Sequence, residues 1–161
     1  MKEKIAILKS EIKNEYKKLN QLFSRFEDSY NKFLTSKEYS KLVEAAFYVS
    51  QLYSGFENIF RNVARTFENT VEQDYWHKSL LERMGLEIQD IRPALISEES
   101  FKCLDEIRAF RHFFRHAYAT DLDKEKFKIV AEKVLIVRDL ISNDISDFLD
   151  FLDSLLKKRQ K

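Results

Sequence analysis

The stretch RHFFRHAY, residues 111–118, sets two arginines, two histidines and a tyrosine around a pair of phenylalanines. Only one other histidine, His77, occurs in the chain. Arginine carries a permanent planar charge whose forked donors match the oxygens of a phosphate. Histidine takes or gives a proton near neutral pH. These groups together suffice to cleave RNA without a metal. A neutral imidazole withdraws the proton of a ribose 2′-OH, and that oxygen attacks the adjacent phosphorus. An arginine then stabilises the charge that gathers on the phosphorane. The products would be a 2′,3′-cyclic phosphate and a 5′-OH, and DNA, which lacks the 2′-OH, would resist.

On an ideal helix with Arg108 at zero, Arg111 falls at about −60°, Arg115 at about −20° and Tyr118 at about −80°. His112 and His116 fall at about +40° and +80°. Phe110, Phe113, Phe114 and Ala117 occupy the other half and read as core, with the polar half turned outward or toward a partner. No acid lies between Arg108 and Tyr118 to form the usual i,i+4 pairs, so the face reads as a local anion site. Arg111 and His116 stand about 140° apart, too far to converge on one phosphate within one motif. Two copies facing each other across a two-fold axis would pool the two halves.

Three other readings compete. The face is an ordinary solvated basic surface, or it is a salt-bridge patch between oligomerised helices. Alternatively, His112 and His116 have the i,i+4 spacing of zinc ligands on a helix. No HExxH glutamate sits between them and no cysteine is near. His77, beside Trp76, reads by default as a hydrogen-bonded residue at the edge of an aromatic core. Tyr53, Glu57 and Arg61, a turn apart on a preceding helix, are placed to support the site from behind.

The elements that must position these groups are helical. A chain of 161 residues with two glycines and one proline cannot supply the turns of a β fold. One domain, residues 1–161, is expected, in the form of an antiparallel four- to five-helix bundle with long first and last helices. Apolar residues from Ile5 to Phe33 recur by threes and fours. Thr35 with Glu38 reads as a capping box opening the second helix, whose stripe runs from Leu42 to Phe67. Gly55 inside that stripe suggests close approach of a neighbouring helix. A shorter helix carries Tyr75, Trp76, Leu80, Leu81 and Met84, and Gly85 ends it. Pro93 makes residues 86–96 a connecting loop.

Ser97 caps the helix leading into the motif, and Thr120, Asp121 and Asp123 offer the cap of the last one. The aspartates at 139, 144, 147, 150 and 153 read as a solvated side, and the KKRQK tail as frayed. The net charge is +1, so a polyanion site has to be local rather than a global basic field. Cys103 is alone, which excludes an internal disulfide and fits a reducing cytoplasm. No run approaches the ~20 apolar residues of a membrane span.

The motif and its flanks resemble HEPN-domain ribonucleases, in the branch of the HepT-like toxins of prokaryotic toxin–antitoxin pairs. That motif is an arginine, a polar residue, three to five more, a histidine, and a tyrosine two beyond. Here it reads Arg111, His112, FFR, His116, Ala117, Tyr118. The resemblance also takes in YSGFENIFRNVAR, WHKSLLERM and IRPALIS, and covers roughly residues 50–123. It implies a HEPN-like homodimeric or higher-order helical bundle and a metal-independent endoribonuclease with no cofactor. By that analogy Arg111 and His116 are catalytic, with His112 beside them and Arg115 and Arg108 in support. The implied partners are an RNA substrate and a minimal nucleotidyltransferase (MNT) antitoxin that AMPylates Tyr118. The alternative is a non-catalytic helical subunit of such a nucleotidyltransferase, binding nucleotide or nucleic acid.

Overall fold

A computed structural model describes residues 1–68, 76–117 and 120–157, the side chain of Trp76 aside. The described residues form five helices: α1 (Lys2–Ser36), α2 (Tyr39–Phe67), α3 (Trp76–Met84), α4 (Glu98–His116) and α5 (Lys124–Lys157). The described residues contain no strand, only an isolated bridge between Ile88 and Arg92 in the loop before α4. Tyr75 and residues 158–161 lie outside the described residues, as do Tyr118 and Ala119.

Four long helices alternate in direction. α1 and α2 are joined by two residues, so they must fold back on each other. Lys9 pairs with Asp153, Arg138 with Glu27, and Tyr30 stacks edge-on against Phe127, which sets α5 antiparallel to α1. Asp144 holds Ser97, and Phe110 meets Phe127, which sets α4 antiparallel to α5. The short α3 lies in the connection between α2 and α4. It is fastened by the buried Leu80, Leu81 and Met84.

The core is the sum of the apolar stripes. Ile5, Leu8, Ile12, Leu19, Phe23 and Phe26 of α1 are buried, as are Leu42, Val49, Phe56, Phe60 and Val63 of α2. Phe127, Val134, Val137, Ile141, Ile145, Phe148 and Leu152 complete it from α5. Each fully buried Leu or Phe contributes roughly 1.5–3 kcal/mol relative to exposure. A Cβ at Gly55 would stand 2.7 Å from Leu19 Cδ2, so the missing side chain is what lets α1 lie against α2. That is the close approach its place in the stripe suggested.

The ends of the helices hold one correction. Thr35 does not cap α2; it lies in the last turn of α1, where its hydroxyl donates to Asn31 O at 3.1 Å. α1 runs on through Ser36 because Lys37 adopts the left-handed conformation, φ 60°, and its N–H closes on Phe33 O. Glu38 becomes the cap of α2 without a side-chain cap bond, and its own N–H donates to Ser36 Oγ. Ser97 does cap α4, accepting from Ser100 N at 3.2 Å. Asp123 opens α5, accepting from the N–H groups of Glu125 and Lys126, with Lys126 foremost in holding its carboxyl below the ordinary value.

Candidate functional site

The placement of the motif follows from where α4 puts its buried stripe. Ser100, Cys103, Leu104, Ile107 and Phe110 are buried, and the next position on that stripe is Arg111. Its side chain is only 5% exposed and points at α2 rather than at solvent. Phe113, expected in the core, is instead 47% exposed, and Phe114 is half-buried against Phe110. The motif is therefore rotated from the division that side-chain polarity suggests: Arg111 goes inward and Phe113 outward.

A buried guanidinium requires a partner, because an unpaired charge in a low-dielectric interior is strongly unfavourable. Glu57, itself 2% exposed on α2, provides it, with Oε1 accepting from Arg111 Nη2. The other oxygen of Glu57 accepts from Arg61 Nη2 at 2.8 Å. Arg111 Nη1 donates to Ser54 Oγ at 3.3 Å, and its guanidinium lies 4.5 Å from the centre of the Tyr53 ring, a cation–π contact. Tyr53, Ser54, Glu57 and Arg61 thus form the α2 wall of the site, as the spacing of Tyr53, Glu57 and Arg61 foreshadowed.

α3 adds a residue that sequence reasoning assigned to an aromatic edge. His77 Nδ1 stands 2.5 Å from Glu57 Oε1 and 3.1 Å from Arg111 Nη2. A carboxylate oxygen can only accept, so in this contact Nδ1–H donates to Glu57, and Nε2 is the ring nitrogen that Glu57 does not engage. The His77 side chain is 51% exposed and that of Arg61 is 49% exposed. Both reach solvent from a buried carboxylate.

The remaining motif residues lie at the open end of α4. His112 and His116 are exposed, their rings edge to face with centroids 4.5 Å apart. Arg115 is exposed and its Nη2 is 3.5 Å from the same Ser54 hydroxyl that Arg111 uses. Arg108 does not stand unpaired: Asp105, one turn earlier, takes its Nε at 2.9 Å. That acid precedes Arg108, so the lack of acids within the motif gave no sign of it. Tyr118 lies outside the described residues. Among the described residues no group of three or more His, Cys, Asp or Glu side chains is arranged to hold a metal ion. No helix among them is long and apolar enough to cross a membrane. The lone thiol, Cys103, is buried, and burial pushes its pKa up.

The structure therefore joins Arg111 to Ser54, Glu57 and His77 and brings Arg115 alongside. It sets His112 and His116 on the exposed last turns of the same helix. Arg111, Arg61 and His77 meet one carboxylate and Arg115 stands at Ser54 beside them, which leaves the site with a positive balance suited to an anion. Among comparisons with known proteins, the family model described as HepT-like protein matches residues 44–152, well over half of the chain. That span holds α3, α4, nearly all of α2 and most of α5, including every residue of the site. No curated protein and no solved structure gives a significant match.

Proposed function

The chain belongs to the HepT-like family, and we propose that it is a metal-independent endoribonuclease toxin. Membership supports a HEPN-type, toxin and ribonuclease-like class at the level of the family. The specific reaction is our reading of the site. His116, exposed on the last turn of α4, takes the proton of a ribose 2′-OH. The freed oxygen attacks phosphorus, and the 5′-oxygen leaves, giving a 2′,3′-cyclic phosphate and a 5′-OH. Arg111 bears on the phosphorane from the wall of the site and Arg115 from its mouth, with His112 and Arg108 in supporting positions.

Arg111 has five N–H donors as any arginine does, yet among the described residues it donates only to Ser54 and Glu57. Donors thus remain for a phosphate. A homodimer or higher oligomer would supply the second half of the site, because Arg111 and His116 diverge by about 140° on one helix. Its antitoxin would be a minimal nucleotidyltransferase that AMPylates Tyr118. A phosphodiester there, two residues past His116, would compete with RNA for the arginines.

The observation that carries this reading is the family match laid over an intact Arg111–His112–Arg115–His116 set at the end of α4. One observation favours a second reading: Arg111 is buried in an ion pair with Glu57, as a structural arginine would be. The chain would then be a non-catalytic subunit that binds nucleotide or nucleic acid.

Labelled RNA incubated with purified, unmodified protein in EDTA separates the two. Cleavage is expected, with cyclic-phosphate ends, and His116→Ala should lower its rate about 10²–10⁴-fold. Nucleotide binding without cleavage would establish the second reading. Cleavage that needs an added divalent metal would overturn the mechanism.

A further inference from the structure

We propose that His77 is the second proton carrier of the site, giving the proton of Nε2 to the 5′-oxygen as the RNA backbone breaks. This rests on the ribonuclease reading and adds to it a residue outside the Arg–His motif. The reaction needs two proton transfers. As the 2′-oxygen forms its bond to phosphorus, its proton passes to His116. As the bond from phosphorus to the 5′-oxygen breaks, its electron pair stays on that oxygen, which is a poor leaving group until it is protonated. The proton from His77 Nε2 completes the 5′-OH. Protons exchanged with solvent then return His77 to its charged form and His116 to its neutral one, so no net proton is consumed.

The cluster around Arg111 contains few groups able to make that second transfer. Arg61, Arg111 and Arg115 do not give up protons at ordinary pH. Tyr53 is fully buried, and burial holds its phenol far above the ordinary range. Glu57 is buried and its oxygens are occupied by Arg111, Arg61 and His77. His77 alone among these combines an imidazole with half-exposure. Glu57 fixes the ring through Nδ1 at 2.5 Å and leaves Nε2 as the nitrogen that exchanges its proton, as a carboxylate behind a catalytic histidine does.

Its place is set by packing. α3 is anchored by the buried Leu80, Leu81 and Met84, and His77 sits in its first turn. His77 Nδ1 is 3.1 Å from Arg111 Nη2, while Ser54 joins Arg111 to Arg115 on the other side. A phosphate held by Arg111 and Arg115 would therefore lie beside the His77 ring.

The test uses leaving groups of different need. A ribodinucleotide expels a 5′-alkoxide, which requires a proton. A ribonucleoside 3′-(para-nitrophenyl phosphate) expels a stable phenolate, which does not. Full-length wild type, His77→Asn, His77→Ala and His116→Ala are compared on both, with thermal unfolding recorded for each. Both His77 variants should lose about 10²–10³-fold on the dinucleotide and stay within about threefold of wild type on the nitrophenyl ester. His116→Ala should lose on both. Equal losses on the two substrates in variants that unfold like wild type, or no loss on the dinucleotide, overturn the assignment of His77 alone. Wild-type protein that cleaves neither substrate overturns the ribonuclease reading beneath it.

Discussion

Two glutamates, one at the middle of the second helix and one at its C-cap, take arginines from later parts of the chain. The one at the C-cap holds the half-exposed Arg83 at 3.3 Å as well as a buried arginine. At the end, Glu68 takes Arg92 through Nε at 3.2 Å and Nη2 at 2.5 Å. Arg92 also donates to Leu86 O, Pro93 O and Arg83 O, so all five of its donors are occupied and its side chain is fully buried. At the middle, Glu57 takes Arg111, but its other partners are the half-exposed His77 and Arg61, and Arg111 keeps donors in reserve. The first pair closes on backbone and ties down the loop before α4. The second closes on side chains that reach solvent. The same two residue types thus build a staple in one place and, on the proposed reading, a reactive surface in the other. What separates them is whether the arginine's remaining donors are spent on carbonyls.

That contrast is sharpest when each pair is broken. Glu57→Ala and Arg92→Ala each leave a buried, uncompensated partner or remove one, and each should lower unfolding stability by about 3–5 kcal/mol. Chemical denaturation measures the loss. The folded fraction of the Arg92→Ala protein should still cleave RNA at close to the wild-type rate. That of Glu57→Ala should not, because both Arg111 and His77 lose the group that orients them. Equal activity in the two variants would erase the distinction.

A smaller effect is expected where α4 begins. Asp144 of α5 accepts from Ser97 N at 3.1 Å, Ser97 Oγ at 3.3 Å and Ser100 Oγ at 2.5 Å. It is not on a purely solvated side, as the row of aspartates suggested, but pins the start of the helix that carries the motif. Asp153 likewise leaves that row to pair with Lys9. Asp144→Ala should cost about 1–2 kcal/mol in thermal or denaturant unfolding. A neutral result would mean that Ser97 and Ser100 satisfy each other without it.

The helices were legible because a 3.6-residue period is written in apolar side chains, which are numerous and redundant. The cap at Ser97 was legible, and that of α5 was narrowed to Thr120, Asp121 and Asp123, of which Asp123 serves, for a local reason: each cap acts on N–H groups two or three residues ahead. Thr35 misleads because the choice between ending α1 and starting α2 turns on Lys37 accepting a left-handed backbone, which composition does not announce. Arg111 stands out by residue type, but its polarity points it to the wrong side of the helix. The stripe through Leu104 and Ile107 leads straight to it. A buried glutamate inside the apolar stripe of α2 was the available signal that an arginine would come inward. His77 had no such signal, since its partner lies twenty positions earlier on another helix.

Acid should weaken the cap of α5 and the pair that joins α1 to α5. Asp123 is held below its ordinary value of 3.8 by the backbone N–H groups of Lys126 and Glu125, and Asp153 is held below it by Lys9. A depressed folded-state pKa means that the unfolded chain binds protons first as pH falls. The stability these carboxylates contribute is present above 3.8 and lost as pH drops through their lower folded values. Denaturation midpoints followed from neutral pH into that range should decline. Asp123→Asn, which keeps a capping oxygen without the charge, should show a shallower decline.

The least disruptive change belongs to Tyr53, and it locates the border between staple and reactive surface. Its ring is the platform under Arg111, but its buried hydroxyl has no hydrogen-bond partner among the described residues. Burial first, and Glu57 second, push its pKa up, so the phenol is neutral and has no charge to contribute. Tyr53→Phe removes an unpaired hydroxyl and keeps the face of the ring, so stability should be unchanged or rise by less than about 1 kcal/mol. Tyr53→Leu keeps apolar volume but removes the ring's negative face, and should cost about 1–2 kcal/mol by releasing the guanidinium. If Tyr53→Phe unfolds like wild type yet loses RNA cleavage, the hydroxyl acts on substrate, and the reactive surface extends one turn further down α2 than Glu57.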